Sequence, residues 1–178
     1  MKWLNEPLIW QSQNDIIQIT SDKNTDFWRK THYDFIRDNG HFYYEEVGGN
    51  FTAKVKVSGQ YENLYDQAGL MVRLDKENWL KFGVELVNGI QQVSAVVTRD
   101  YSDWSIAPMP HNPNEIWLKV TRHDSTIEVH YSLDDQQYSL LRMTYLTSSD
   151  TLEVGIMSAS PKGQGFVSTF ENLAIKSS

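Results

Sequence analysis

Hydrophobic and polar residues alternate with a period of two through most of this chain, and helical stripes are scarce. In FTAKVKVSG (51–59), Phe51, Ala53, Val55 and Val57 share one face while Thr52, Lys54, Lys56 and Ser58 share the other. The same alternation recurs in IWLKVTR (116–122) and TIEVHYSL (126–133), with turn residues between the runs. Many short alternating strands predict an all-β chain, two antiparallel sheets packed as a sandwich or jelly roll. Across an Asp124-Ser125 hairpin, Ile116, Leu118 and Val120 lie against Val129 and Tyr131, and His130 faces Lys119; Asp134-Asp135 marks the next turn.

Residues 69–99, GLMVRLDKENWLKFGVELVNGIQQVSAVVTR, predict three consecutive strands. Asn88-Gly89 is a two-residue hairpin signal, because a type I′ turn needs positive φ at both central positions. It pairs Glu85 with Gln92, Gly83 with Ser94 and Lys81 with Val96; on the core side it sets Val84 against Val93, Phe82 against Ala95 and Leu80 against Val97. The preceding turn is placed at Lys76-Glu77-Asn78, with Asn78 left-handed, so that Asp75 faces Trp79, Arg73 faces Lys81 and Gly69 faces Glu85. Like charges placed opposite each other call for a carboxylate or an anionic ligand between them. The second face of these strands therefore carries Met71, Arg73, Lys81, Glu85, Gln92 and Ser94, with Gly69 and Gly83 as low floor between taller polar walls. Such a face is ordinarily the solvated side of an antiparallel sheet. Trp79, Met71, the two glycines and one central acid set a ligand groove beside that reading as an equal alternative.

Composition narrows the function classes. With 178 residues the chain is most simply one domain, 1–178, and it has no cysteine for a disulfide or a thiolate metal site. Sixteen Lys and Arg against 23 Asp and Glu give a net charge of -7, the wrong sign for a nucleic-acid binder. The opening MKWLNEPLIWQSQND carries Glu6 and Pro7 and lacks the apolar run of about 7 to 15 residues that a secretory signal needs. Nothing approaches the roughly 18 apolar residues of a membrane helix, so no membrane association and a cytoplasmic location are expected. Asn50-Phe51-Thr52 is a glycosylation sequon without that secretory context. No internal repeat interrupts the pattern; the least regular stretch, TSDKNTDFWRKTHYDFIRDNGH (20–41), is a long polar and aromatic connection of the kind that often carries function.

Metal and nucleophile motifs are not expected to carry the chemistry. Asp22, Asn24 and Asp26 have the spacing of a calcium loop, but Phe27 and Tyr33 occupy its glycine and glutamate positions, so a turn is the better reading. His32, His41, His111, His123 and His130 show no metal-ligand spacing, and no metal or cofactor is expected. There is no G-x-S-x-G elbow, P-loop or dinucleotide fingerprint.

The segments TDFWRKTHYDFIRDNGHF (25–42), LYDQAGLMVR (64–73), NWLKFGVEL (78–86), VVTRDYSDWS (96–105) and SASPKGQGFVSTFENLAI (158–175) resemble the domain-of-unknown-function family DUF1349. Its members are often labelled regulation-of-enolase protein 1-like, within the concanavalin A-like lectin/glucanase superfamily. The resemblance implies a jelly roll of one convex and one concave sheet, with ligands on the concave face. The motif positions Asp66, Gln67, Arg73, Trp79, Lys81, Glu85, Thr98, Arg99, Asp103 and Trp104 are then candidates for lining it, and Trp28, Arg29 and His41 for closing one end. Aromatic faces with carboxylate, amide and guanidinium groups suit a sugar or related polyhydroxylated metabolite bound without turnover. Two other functions stand beside this one. The family label implies a protein partner such as enolase. Alternatively, a glycoside hydrolase would use Glu85 with Asp66 or Asp103, the two carboxyls roughly 5 to 9.5 Å apart according to mechanism; the E-x-D-x-x-E strand of such glucanases is absent.

Overall fold

The computed structural model describes residues 1–109 and 111–177, and within them all regular structure is strand. A front sheet has the order β1 (Lys2–Leu4), β6 (His41–Gly48), β15 (Thr151–Ala159), β8 (Gln67–Arg73), β9 (Asn78–Val87), β10 (Ile90–Arg99) and β11 (Tyr101–Pro108). A back sheet has the order β14 (Ser139–Tyr145), β13 (Thr126–Ser132), β12 (Glu115–His123), β7 (Phe51–Gly59), β16 (Val167–Ser177), β3 (Ile16–Thr20) and β2 (Ile9–Gln13). All pairings between named strands are antiparallel, and the two sheets form the expected jelly-roll sandwich.

Alternation decides which side chains fill the space between the sheets. Leu70, Leu80, Phe82 and Ala95 from the front meet Val55, Leu118, Val129 and Phe170 from the back, all fully or almost fully buried. Each large apolar side chain so buried contributes about 1.5–3 kcal/mol. The Asn88-Gly89 hairpin forms as expected: both residues have positive φ, 52° and 78°, and Glu85, Gly83 and Lys81 lie opposite Gln92, Ser94 and Val96. The β12–β13 hairpin also keeps its register, with Lys119 opposite His130 and Val120 opposite Val129.

The turn before β9 differs. Leu74 N–H donates to the Asn78 carbonyl (2.9 Å), so the loop is Asp75-Lys76-Glu77, one residue earlier than expected. Asp75 causes the shift, because its Oδ1 accepts from the N–H groups of Glu77 (2.7 Å) and Asn78 (2.8 Å) and closes the turn itself. The register moves by two: Arg73 lies opposite Trp79, Met71 opposite Lys81, Gly69 opposite Gly83 and Gln67 opposite Glu85. Arg73 therefore never faces Lys81, and no ligand is needed to separate them. Gly69 and Gly83 bring the two backbones together; a Cβ on either would collide with the carbonyl oxygen of Phe82 or Ala68 respectively.

The connection 20–41 is more ordered than its composition predicts. It contains a two-stranded ribbon, β4 (Phe27–Arg29) with β5 (Ile36–Asp38), whose Phe27 and Trp28 pack on the outer face of the front sheet. Phe27, Trp28, Phe42, Tyr44, Met71, Trp79, Val96 and Met157 make a second buried cluster there. Much of the polar-looking face is thus covered by the chain's own ribbon.

Candidate functional site

Ion pairs and charge-assisted hydrogen bonds hold the ribbon to the sheet. Lys81, 4% exposed, donates to the Phe27 carbonyl (2.6 Å) and to Asp26 Oδ1 (3.1 Å). Arg73 binds Asp38 through both NH groups (2.7 and 3.0 Å) and has Glu153 at 3.6 Å. Arg29 pairs with Asp100 (2.8 Å), while the Arg29 N–H donates to Ser102 Oγ (2.9 Å). At the ribbon's base, the Asp22 N–H donates to His41 Nε2 (2.9 Å), so Nδ1 carries the proton and donates to the Asn5 carbonyl (2.6 Å).

Beside the ribbon a cavity of about 450 Å³ remains open, within the range of small-molecule sites. Its floor comes from β8, β9 and β10: Gln67, Lys81, Glu85 and Val96. Trp28, Tyr33 and Phe35 of the ribbon, Tyr65 before β8, and Trp104 of β11 form aromatic walls. Trp104 stands edge-on to both Trp28 (6.4 Å) and Tyr65 (6.2 Å), and Tyr33 stacks on Phe35 at 5.3 Å. Asn24, Asp26, Arg37, Pro161 and Lys162 complete the lining.

Glu85 is the chemically distinctive group. It is 7% exposed, and its Oε2 accepts from Ser94 Oγ (2.7 Å) and Trp104 Nε1 (3.0 Å). Oε1 has no hydrogen-bond partner among the described residues. Burial pushes the carboxyl above its ordinary range, while Lys81 and the two donors oppose that shift. Tyr65 is also perturbed: its contact with the Tyr33 hydroxyl (3.4 Å), together with burial, pushes it up to about 12. The Tyr65 phenol therefore stays protonated at neutral pH and keeps an O–H to donate.

Of the thirteen candidate residues, Trp28, Gln67, Lys81, Glu85 and Trp104 reach the cavity; the other eight do not. Trp79 is wholly buried, 6.2 Å from Phe27, and packs the ribbon onto the sheet. Arg73, Arg29 and His41 hold that ribbon. Thr98 is buried against Ser102 Oγ (2.9 Å), and Arg99 is exposed, 5.9 Å from the Tyr145 ring. Asp103 lies next to Trp104 on a strand and so points the opposite way, to Arg142 (2.9 Å). Asp66 is fully buried, accepting from Ser160 Oγ (2.6 Å) and from the N–H groups of Glu62 and Asn63. Neither Asp66 nor Asp103, the expected partners of Glu85 in a hydrolase, lines the cavity; the second carboxylate there is Asp26, the counter-ion of Lys81.

Sequence reasoning missed Asp26, Tyr33, Phe35, Arg37, Tyr65 and Lys162. The first four lie in the connection 20–41, whose aromatic content marked it as important, but only its pairing into a ribbon shows which side chains turn inward.

The comparisons with known proteins agree with this architecture. Regulation of enolase protein 1 of Saccharomyces cerevisiae is 40% identical over 173 residues, covering 97% of this chain and 87% of that protein. A crystal structure of a functionally unknown protein from S. cerevisiae superimposes with a TM-score of 0.96 at 40% identity, covering 99% of this chain and 96% of that one. Fold alone is shared with carbohydrate-binding module CBM66 from Bacillus subtilis, at a TM-score of 0.62 and 14% identity over 98% of this chain and 95% of that one. It is shared also with the GH43 protein BlXynB of Bacillus licheniformis (K247S mutant), at a TM-score of 0.75 and 15% identity, covering 97% of this chain but 36% of that one. Residues 3–178 match the model of the protein family of unknown function DUF1349, and the chain belongs to that family.

Proposed function

We propose that the protein binds a carbohydrate, or a closely related polyhydroxylated metabolite, in the cavity between ribbon and front sheet. The observation that carries this reading is the joining of an aromatic wall to a half-committed carboxylate. Glu85 spends one oxygen on Ser94 and Trp104 and keeps the other for a ligand, beside Gln67 and the Trp104 ring. Sugars present hydroxyls at their edges and C–H groups on their faces, which matches a carboxylate and an amide beside indole and phenol rings. Binding without turnover is favoured because both cavity carboxylates already serve the fold. Glu85 Oε2 ties β9 to β10 and β11, and Asp26 Oδ1 accepts from Lys81 and from the Phe27 N–H (2.8 Å).

Isothermal titration and thermal shift against monosaccharides and oligosaccharides test the reading, with Glu85→Gln as the control. A sugar at a hundred times its dissociation constant adds about 2.7 kcal/mol to stability. A hit weakened in Glu85→Gln supports the cavity as its site; a flat response to every sugar removes the proposal.

A second reading follows from the name of the S. cerevisiae relative, which points to enolase. In that case purified enolase is retained by the immobilised protein, and Glu85→Gln leaves retention intact because the contact lies outside the cavity. Loss of retention in that variant would tie the two functions to one surface.

A further inference from the structure

The mouth of the cavity carries charge that the rest of the site does not consume. Lys81 is paired with Asp26, and burial pushes the Glu85 carboxyl toward its neutral form. Arg37 and Lys162 remain. Both are exposed, both line the cavity, and neither has an acidic or hydrogen-bond partner among the described residues. Two unpartnered cations at one opening, in a chain of net charge -7, make that opening locally attractive to anions.

Backbone contacts fix where these two cations sit. Arg37 is opposite Trp28 in the ribbon, with its guanidinium 5.0 Å from the Phe35 ring. Lys162 lies in the short loop that begins at Ser160. The Ser160 N–H donates to Thr25 Oγ1 (3.0 Å), Ser160 Oγ donates to Asp66 Oδ1 (2.6 Å), and the Thr25 N–H donates to the Ser160 carbonyl (3.3 Å). Asp66 is thus a positioning residue for the mouth.

We propose that the ligand is an acidic sugar, whose ring lies along Trp104 and Trp28 and whose carboxylate or phosphate sits at the mouth with Arg37 and Lys162. This narrows the carbohydrate reading above and rests on it. A guanidinium and an ammonium together suit an oxyanion, the first through paired N–H donors and the second as a point charge. A neutral sugar would leave both cations solvated and idle.

The test is titration at low salt with glucose, galactose and mannose, each beside its uronate and its phosphate ester, and with inorganic phosphate. The wild type is compared with the double variant Arg37→Ala/Lys162→Ala, whose unchanged melting temperature verifies the fold. The expected result is an acidic form bound at least about tenfold tighter than its neutral parent, the value of one charge-assisted hydrogen bond. That preference disappears in the double variant and shrinks as salt is raised. A uronate that wins alone identifies carboxylate as the anion, and a phosphate ester that wins alone identifies phosphate. Equal binding of neutral and acidic forms overturns the acidic preference and leaves the carbohydrate reading standing. Inorganic phosphate binding as tightly as the esters overturns the sugar part in favour of a simple anion. Silence from the whole panel overturns both.

Discussion

Replacing Lys81 with methionine tests whether buried charge pins the ribbon to the sheet. Lys81 is 4% exposed, and its ammonium donates to the Phe27 carbonyl at 2.6 Å and to Asp26, whose side chain is 16% exposed, at 3.1 Å. Methionine preserves most of the stem's packing but supplies neither bond. Each charge-assisted bond contributes about 1.5–3 kcal/mol, and the released desolvation cost of the ammonium offsets part of their sum. The expected net loss is about 3 kcal/mol, which for a chain of this size lowers the melting temperature by about 6–12 °C. Urea titration followed by tryptophan fluorescence measures it, and Asp26→Asn with the double variant completes a cycle in which the two losses fall short of additivity. A loss below about 1 kcal/mol, or full additivity in the cycle, would refute the pinning argument.

Gly83→Ala places a Cβ against the Ala68 carbonyl across the β8–β9 pair and should cost about 3 kcal/mol or more, read as a lowered urea midpoint or loss of soluble protein; a neutral effect would mean the strands are free to part. Because burial raises the Glu85 carboxyl in the folded state, the fold holds a proton that the unfolded chain releases. Its contribution is complete below the ordinary glutamate range and is lost as pH rises through the raised folded value. Glu85→Gln should therefore flatten that decline and gain stability on the wild type at neutral pH, seen as melting temperature against pH; an unchanged profile would contradict the assigned shift. Tyr33, 44% exposed at the ribbon tip, can be cut to alanine with little effect on melting, yet sugar affinity should fall about tenfold through the lost ring contact. An unchanged affinity would exclude Tyr33 from the ligand's wall.

The sandwich was legible because period-two alternation and tight turns are local signals. Phe51, Ala53, Val55 and Val57 had to share a buried face, and Asn88-Gly89 had to close a hairpin in a register that one aliphatic face made unique. The same logic failed one turn earlier. Asp75 caps its loop with a side chain, a choice that residue type permits at several positions, so the register moved by two and the apparent clash of Arg73 with Lys81 vanished.

The chemical identity of the site was partly written in the sequence: Glu85, Lys81, Gln67 and Trp104 lie on strands whose alternation sends them to one face. What covers that face was not. A strand pattern tells which side a residue takes and not what stands against it: Arg73 and Trp79 meet the chain's own ribbon, Arg29 lies in that ribbon and His41 at its base, although all four looked like ligand contacts. Only tertiary structure brings residues 24–37 over β8 to β11, because ribbon and sheet meet through contacts far apart in sequence, such as Lys81 with Asp26 and Arg73 with Asp38. Those contacts consume some charges and leave Glu85, Arg37 and Lys162 facing open space. Alternation alone made the sandwich; the packing of one irregular segment against it made the cavity.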